Sequence, residues 1–282
     1  MKCFHHTDLD GTSAAAVVLR ALGDSVEMFR IDHKIPFPFE KIEKDEEVII
    51  VDFSLSKDNF EKLLEITENV IWIDHHKTAI DENESISDKL KGLRRIGTAG
   101  GELCWEYYFP DIPVPKLLHI IGDYDVQGGE FGKLSDEVHS GCISYPTEPE
   151  SEFWNHIFDP EAGNNEEVIE LLSKKGKAIL GYQRNYHHKN LIRDWSFMTE
   201  FEGYKACAVN AGQIAGKLVA KHVKEPIDIM ISYIHDGSRF TISLYSITDG
   251  IDVAEIAEKF GGGGHKGAAG FRSEVLPFKP KE

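Results

Sequence analysis

The stretch EVIIVDFSLSKDNFEKLLEITENVIWIDHH, residues Glu47–His76, opens and closes on short apolar runs. EVIIVDF and VIWI lack the polar alternation of a half-solvated strand, so each is the kind of strand that a sheet buries on both faces. Between them Lys57–Ile66 has helical spacing. Strands that alternate with helices of about ten residues need crossover connections, and crossovers make neighbouring strands parallel. Toward the N-terminus the pattern repeats, with Lys2–His6 extended and Gly11–Leu22 helical in composition. Ligands of such sheets collect beyond the carboxyl ends of the strands. That is where HTDLD, VDFS and IDHH stand, each directly after an apolar run.

The whole chain has 282 residues, 41% of them hydrophobic, which is enough for one large or two ordinary domains. No uncharged apolar run approaches the roughly 18 to 20 residues of a membrane-spanning helix. MKCFHHTDLDG lacks the apolar core of a secretory signal, so a cytoplasmic location is expected. Cys3, Cys104, Cys142 and Cys207 are far apart with no CxxC pair, which fits reduced thiols. With 31 basic and 48 acidic residues the formal net charge is −17. Residues 193–282 carry 11 basic and 12 acidic residues, which leaves 20 basic and 36 acidic in residues 1–192. Clustered Lys and Arg are what displace counterions from long nucleic acid, so the first part is a poor duplex-binding surface. Its surplus carboxylates are solvated surface or, in part, cation ligands.

Pro146–Pro160 contains three prolines and marks a boundary. Asn165–Asp194 then runs at near-helical spacing and is expected to be a connecting helix, with His187 and His188 on its surface. Beyond it lie a strand near Ala206–Val209, a helix near Gln213–Lys224 and two strands joined by a hairpin turn at His-Asp-Gly-Ser. A last helix follows, with Val253, Ile256, Ala257 and Phe260 on one face, and it stops at four glycines. The fold class is therefore α/β. It comprises a domain over 1–160 with a mainly parallel sheet flanked by helices, a connecting helix over 161–194, and a smaller α/β domain over 195–282.

On an extended segment, residues i, i+2 and i+4 face the same way, so His6, Asp8 and Asp10 are expected to converge. A turn is the competing reading of that Asp-x-Asp-Gly. Adjacent histidines on a regular strand cannot both reach one cation, so of His75 and His76 one ligates and the other faces substrate or a supporting group. Asp52, ending a buried strand, is a charge that needs a cation or several donors. Asp123 and Asp125 in LLHIIGDYD repeat the carboxylate-at-a-strand-end pattern, with capping as the competing role.

Taken in order, HTDLDG, VDFS, IDHH and IGDYD resemble the DHH phosphoesterase family, and GGGGHKGAAG at Gly261–Gly270 resembles the signature of its associated C-terminal domain. The resemblance covers most of the chain. It implies a two-metal site in which His6, Asp8 and Asp52 hold one ion while Asp10, Asp52, His75 and Asp123 hold the other. Asp52 would bridge, His76 would contact phosphate or assist proton transfer, and Asp74 would support. Carboxylates with two histidines and no cysteine suit hard ions, Mn2+ or Mg2+, over structural Zn2+.

The glycine segment is implied to bind substrate away from the metals, in a cleft between the domains. Gly262, Gly263 and Gly264 would offer backbone donors, His265 and Lys266 side-chain donors, and Asn210 and Arg239 further contacts. Tyr245 stands where many relatives carry an arginine, which puts a second phosphate clamp in doubt and makes stacking on a base the alternative. The spelling HTDLDG is similar to the oligoribonuclease (nanoRNase) branch. The expected activity is Mn2+-dependent hydrolysis of short oligonucleotides to 5′-nucleoside monophosphates, with no long duplex or membrane partner and homodimer formation left open. Linear or cyclic dinucleotides and 3′-phosphoadenosine 5′-phosphate are alternative substrates. A RecJ-type exonuclease, a pyrophosphatase and a non-catalytic nucleotide-binding module rank lower.

Overall fold

A computed structural model describes residues 1–32, 35–159, 166–212 and 214–281. The chain divides into two compact units, Met1–Ile179 and Leu180–Glu282. The expected junction at 160/161, the start of the connecting helix near Asn165 and Gln213 lie outside the described residues.

Unit 1 is built on a four-stranded parallel sheet in the order β2-β1-β3-β4, comprising β1 (Lys2–His5), β2 (Glu27–Arg30), β3 (Val48–Val51) and β4 (Val70–Ile73). The apolar runs are unbroken because both faces are covered. Val48, Ile50, Val70 and Trp72 pack to one side with Phe60 and Leu63 of α2 (Lys57–Ile66). Ile49, Val51, Ile71 and Ile73 pack to the other with α1 (Leu9–Leu22), α4 (Gly100–Tyr108) and α5 (Lys116–Asp125). Each such side chain contributes about 1.5 to 3 kcal/mol of burial. Between α2 and α4 lies the short α3 (Lys77–Glu82), and α6 (Lys133–Cys142) and α7 (Phe153–Phe158) follow α5.

Two elements differ from expectation. The edge strand β2 was not anticipated, because EMFR has only two apolar residues in a row. LLHIIGDYD, read as a strand end, is helix α5: Leu117, Leu118, Ile120 and Ile121 form its buried stripe, at the 3.6-residue period of a helix.

Helix α8 (Glu166–Tyr182) carries the division between the units. A π-helical turn, Gln183–His187, and α9 (His188–Trp195) continue the chain. His187 is exposed, but His188 is 6% exposed rather than on the surface. Unit 2 has a six-stranded sheet, β5-β6-β7-β8-β10-β9, from β5 (Ser196–Phe201), β6 (Tyr204–Asn210), β7 (Ile229–His235), β8 (Phe240–Ser246), β9 (Gly263–His265) and β10 (Ala268–Ser273). Helices α10 (Gly216–Ala220) and α11 (Val253–Glu258) complete it. All four cysteines are buried and free. Among the described residues no helix is long and apolar enough to cross a membrane.

Candidate metal centre

The carboxyl ends of β1, β3 and β4 deliver His6, Asp8, Asp10, Asp52, Asp74, His75 and His76. After β1, His6 leads into α1, whose N-cap is Asp8. Asp8 Oδ1 accepts the Gly11 N–H at 2.9 Å, and Oδ2 lies 2.7 Å from His6 Nδ1. Asp10 is already inside the helix, buried in its first turn. The alternation of an extended strand is therefore not what brings these three together: the cap places Asp8 outside the helix and the first turn rotates Asp10 inward.

Asp10 is held by residues that the sequence did not suggest. Its two oxygens accept the N–H groups of Gly100 at 2.6 Å and Gly101 at 2.9 Å, the first residues of α4. A Cβ on Gly100 would stand 2.7 Å from the Asp52 Cβ, so only glycine allows this approach. The signal was present as an Ala-Gly-Gly-Glu run before an apolar helix, but a glycine pair also reads as a turn. Asp52 directly follows β3 in the left-handed region at φ 49° and is 2% exposed.

His75 Nε2 is the hub. It lies 3.0 Å from Asp52 Oδ1, 3.7 Å from Asp10 Oδ2 and 3.4 Å from Asp125 Oδ2. On the other side of Asp52, Oδ2 is 3.8 Å from His6 Nδ1. Three donor groups result: two are His6 with Asp8 and Asp52, and Asp10 with His75 and Asp125, while the third, Asp52 with Asp74, His75 and His76, overlaps them, the ligand atoms of each lying within 4.8 Å of one another. Asp52 connects the first two.

The neighbouring histidine behaves differently. Buried Asp74 accepts the His75 N–H at 2.7 Å, and its Oδ1 lies 2.7 Å from His76 Nδ1. That anchoring leaves His76 Nε2 on the outward edge of a half-exposed ring.

Asp125, rather than the expected Asp123, stands beside His75 and Asp10. Both Asp123 oxygens are occupied: Oδ1 accepts the Glu130 N–H at 2.9 Å, while Oδ2 accepts the Phe131 N–H at 3.2 Å and the Ser135 hydroxyl. These donors outweigh burial and hold its pKa below the usual carboxylate value. Asp123 thus fixes the loop between α5 and α6.

The electrostatics fit cations. Burial first, then the Asp125 charge, pushes Asp10 up to about 8 against the Gly101 and Gly100 N–H groups. Burial and the charges of Asp10 and Asp8 push Asp52 well up, and burial and Asp8 push Asp125 up to about 6. Burial, then His76, lowers His75, which favours the neutral imidazole that a metal ligand must be. Among the described residues Asp8, Asp10, Asp52 and Asp125 form their ion pairs with histidines. A divalent ion would remove this carboxylate repulsion, and an oxygen-rich donor set suits a hard one.

In unit 2 the glycine segment is not a loose loop. Gly263–His265 form β9, paired antiparallel with β10, and Gly264 takes φ 145° with room for no side chain against Ala269. Gly263 has nothing within 4 Å of where a Cβ would be, so its backbone face is open. His265 and Lys266 are exposed. Arg239, in the β7–β8 turn, sits at the opposite end of β8 from Ser246, whose N–H bonds Gly267, a strand length of roughly 20 Å away. Asn210 ends β6, four strand spacings from β9. Tyr245 does not stand free to stack: its hydroxyl donates to the Ile214 carbonyl at 3.0 Å and its ring lies against Gly216.

Residues 3–109 match the DHH family, N-terminal domain. That stretch is a DHH-family N-terminal domain. The chain is 29% identical to an uncharacterized protein of Acanthamoeba polyphaga mimivirus over 86% of this chain and 58% of that protein. It is 25% identical to oligoribonuclease NrnB of Bacillus subtilis over 95% of this chain and 71% of the relative. The chain thus spans between about three fifths and seven tenths of the length of these two relatives. A pGpG-specific phosphodiesterase of Vibrio cholerae shares the fold, with a TM-score of 0.52 at 12% identity over 97% of this chain and 93% of that one.

Proposed function

We propose that this chain, with its DHH-family N-terminal domain, is a Mn2+-dependent phosphodiesterase that hydrolyses short oligonucleotides to 5′-nucleoside monophosphates. The observation that carries the reading is the pair of donor groups joined through the two oxygens of Asp52. His6, Asp8 and Asp52 would hold one ion; Asp10, Asp52, His75 and Asp125 would hold the second. Ions in such a pair supply charge neutralisation at phosphoryl oxygens and bring the pKa of a water to about 7.

The chain's own residues do the rest. Asp74 fixes the imidazole of His76 so that Nε2 can donate to a phosphate oxygen or pass a proton to the leaving group. Gly100 and Gly101 hold Asp10 in place and favour its charged form. Backbone groups at Gly262, Gly263 and Gly264, with His265 and Lys266, bind the substrate. The acidity of the first 192 residues supports a substrate of a few nucleotides over a long strand, which needs a basic groove.

The test is hydrolysis of two- to five-residue RNA and of a 30-mer at physiological salt, with Mn2+ and with EDTA. Mn2+-dependent cleavage that favours the short substrates is expected, and Asp52→Ala should abolish it while circular dichroism stays unchanged. Preference for the 30-mer, or full activity in Asp52→Ala, would refute the reading.

A further inference from the structure

We infer that Lys217, Lys221 and Lys266 form a binding pocket for the phosphomonoester of a nucleotide within unit 2. This deepens the reading above, taking the substrate to be phosphorylated at its end. The three lysines come from different elements, α10, the residue after it and the β9–β10 turn, yet they line one cavity of about 480 Å³ with Ser246 and Ile251. No ion pair is recorded for any of the three among the described residues, and the one acidic residue on the cavity wall is Asp249. The pocket is therefore net positive in a chain of net charge −17. Like charges gathered on one wall repel unless an anion sits among them.

Packing holds this arrangement. Helix α10 is pinned by buried Val219 and Ala220, and Tyr245 lies directly on Gly216 with its hydroxyl tied to Ile214. Lys217 Nζ stands 3.6 Å from where Gly267 would carry a Cβ, so the ammonium rests against bare backbone. Tyr245 is thus the buttress of α10, and Lys217 and Lys221 supply cations beside it. Three point charges suit the oxygens of a phosphate, a hydroxyl such as Ser246 adds a donor, and the Ile251 side chain offers an apolar wall to a sugar or base.

Calorimetric titration of the full chain in EDTA, where hydrolysis cannot occur, tests this with pApA, ApA and AMP. The wild type should bind pApA at least tenfold more tightly than ApA. Lys217→Ala/Lys221→Ala should erase that difference, Lys217→Arg/Lys221→Arg should restore it, and Lys205→Ala/Lys279→Ala, which removes equal charge elsewhere, should leave it unchanged. AMP binding as tightly as pApA would assign the pocket to any nucleotide phosphomonoester; weaker AMP binding would assign it to the oligonucleotide end. Equal affinity of the wild type for pApA and ApA, or an unaltered preference in Lys217→Ala/Lys221→Ala, would overturn the inference. A phosphate preference in EDTA with no hydrolysis in Mn2+ would sink the proposed function and leave the pocket standing.

Discussion

Asparagine at position 125 and asparagine at position 123 should have opposite consequences. Asp125 Oδ2 lies 3.4 Å from His75 Nε2, and its charge raises the pKa of Asp10. Asp125→Asn keeps the shape and removes one negative charge from the second donor group. Losing a charged oxygen ligand should weaken Mn2+ binding by about 3 kcal/mol, roughly 100-fold, given that even outer partners of a metal site cost 10- to 100-fold. Without metal the same change relieves repulsion with Asp10, so the melting temperature should hold or rise. Asp123→Asn instead places an amide against some of the donors from Glu130, Phe131 and Ser135. Mispaired hydrogen bonds to a charged group should cost about 2 kcal/mol, a fall in melting temperature of several degrees, with Mn2+ affinity changed only a few-fold. Mn2+ titration by calorimetry beside thermal melts in EDTA measures both. If Asp123→Asn loses metal at unchanged stability while Asp125→Asn binds like wild type, the ligand argument fails.

Gly100→Ala should lower activity at least 100-fold and destabilise the chain, because its Cβ would press within 2.7 Å of the Asp52 Cβ; steady-state kinetics and a melt would show it, and wild-type kcat would refute it. His139 is held neutral by burial, its pKa lowered to about 4, in a stack on Tyr124 with ring centroids 3.7 Å apart. Its contribution is therefore complete above the unfolded value of about 6.5 and is lost as pH falls toward 4, a loss of roughly 1 to 2 kcal/mol after discounting for partial exposure. Urea titrations from pH 7 to 4 should show a shallower decline in His139→Gln, and parallel curves would exclude this role. His265→Ala should raise the substrate KM about tenfold at nearly constant kcat, and an unchanged KM would remove it from substrate binding.

The strand–helix–strand register of residues 47–76 could be read from residue order, because a strand buried on both faces must be apolar throughout and a crossover must be helical. The same holds for His6, Asp8, Asp10, Asp52 and His75, whose positions after apolar runs already place them at the ligand-binding edge. The choice between Asp123 and Asp125 was different in kind. On a strand, residues two apart share a face, whereas on a helix they point about 200° apart. Once α5 is a helix, one aspartate must turn to the loop donors and the other to His75.

Donor identity and element period are properties of the local chain, so the sequence by itself determined the parallel sheet and the edge rich in carboxylates and histidines. Contacts between residues distant in sequence are not. The grip of Gly100 and Gly101 on Asp10 spans about 90 positions, and the seat of α10 on Tyr245 joins a helix to a strand two elements later. No local spacing encodes such approaches, because they depend on which backbones the packed core allows to come within hydrogen-bond distance. Only the tertiary structure decided them.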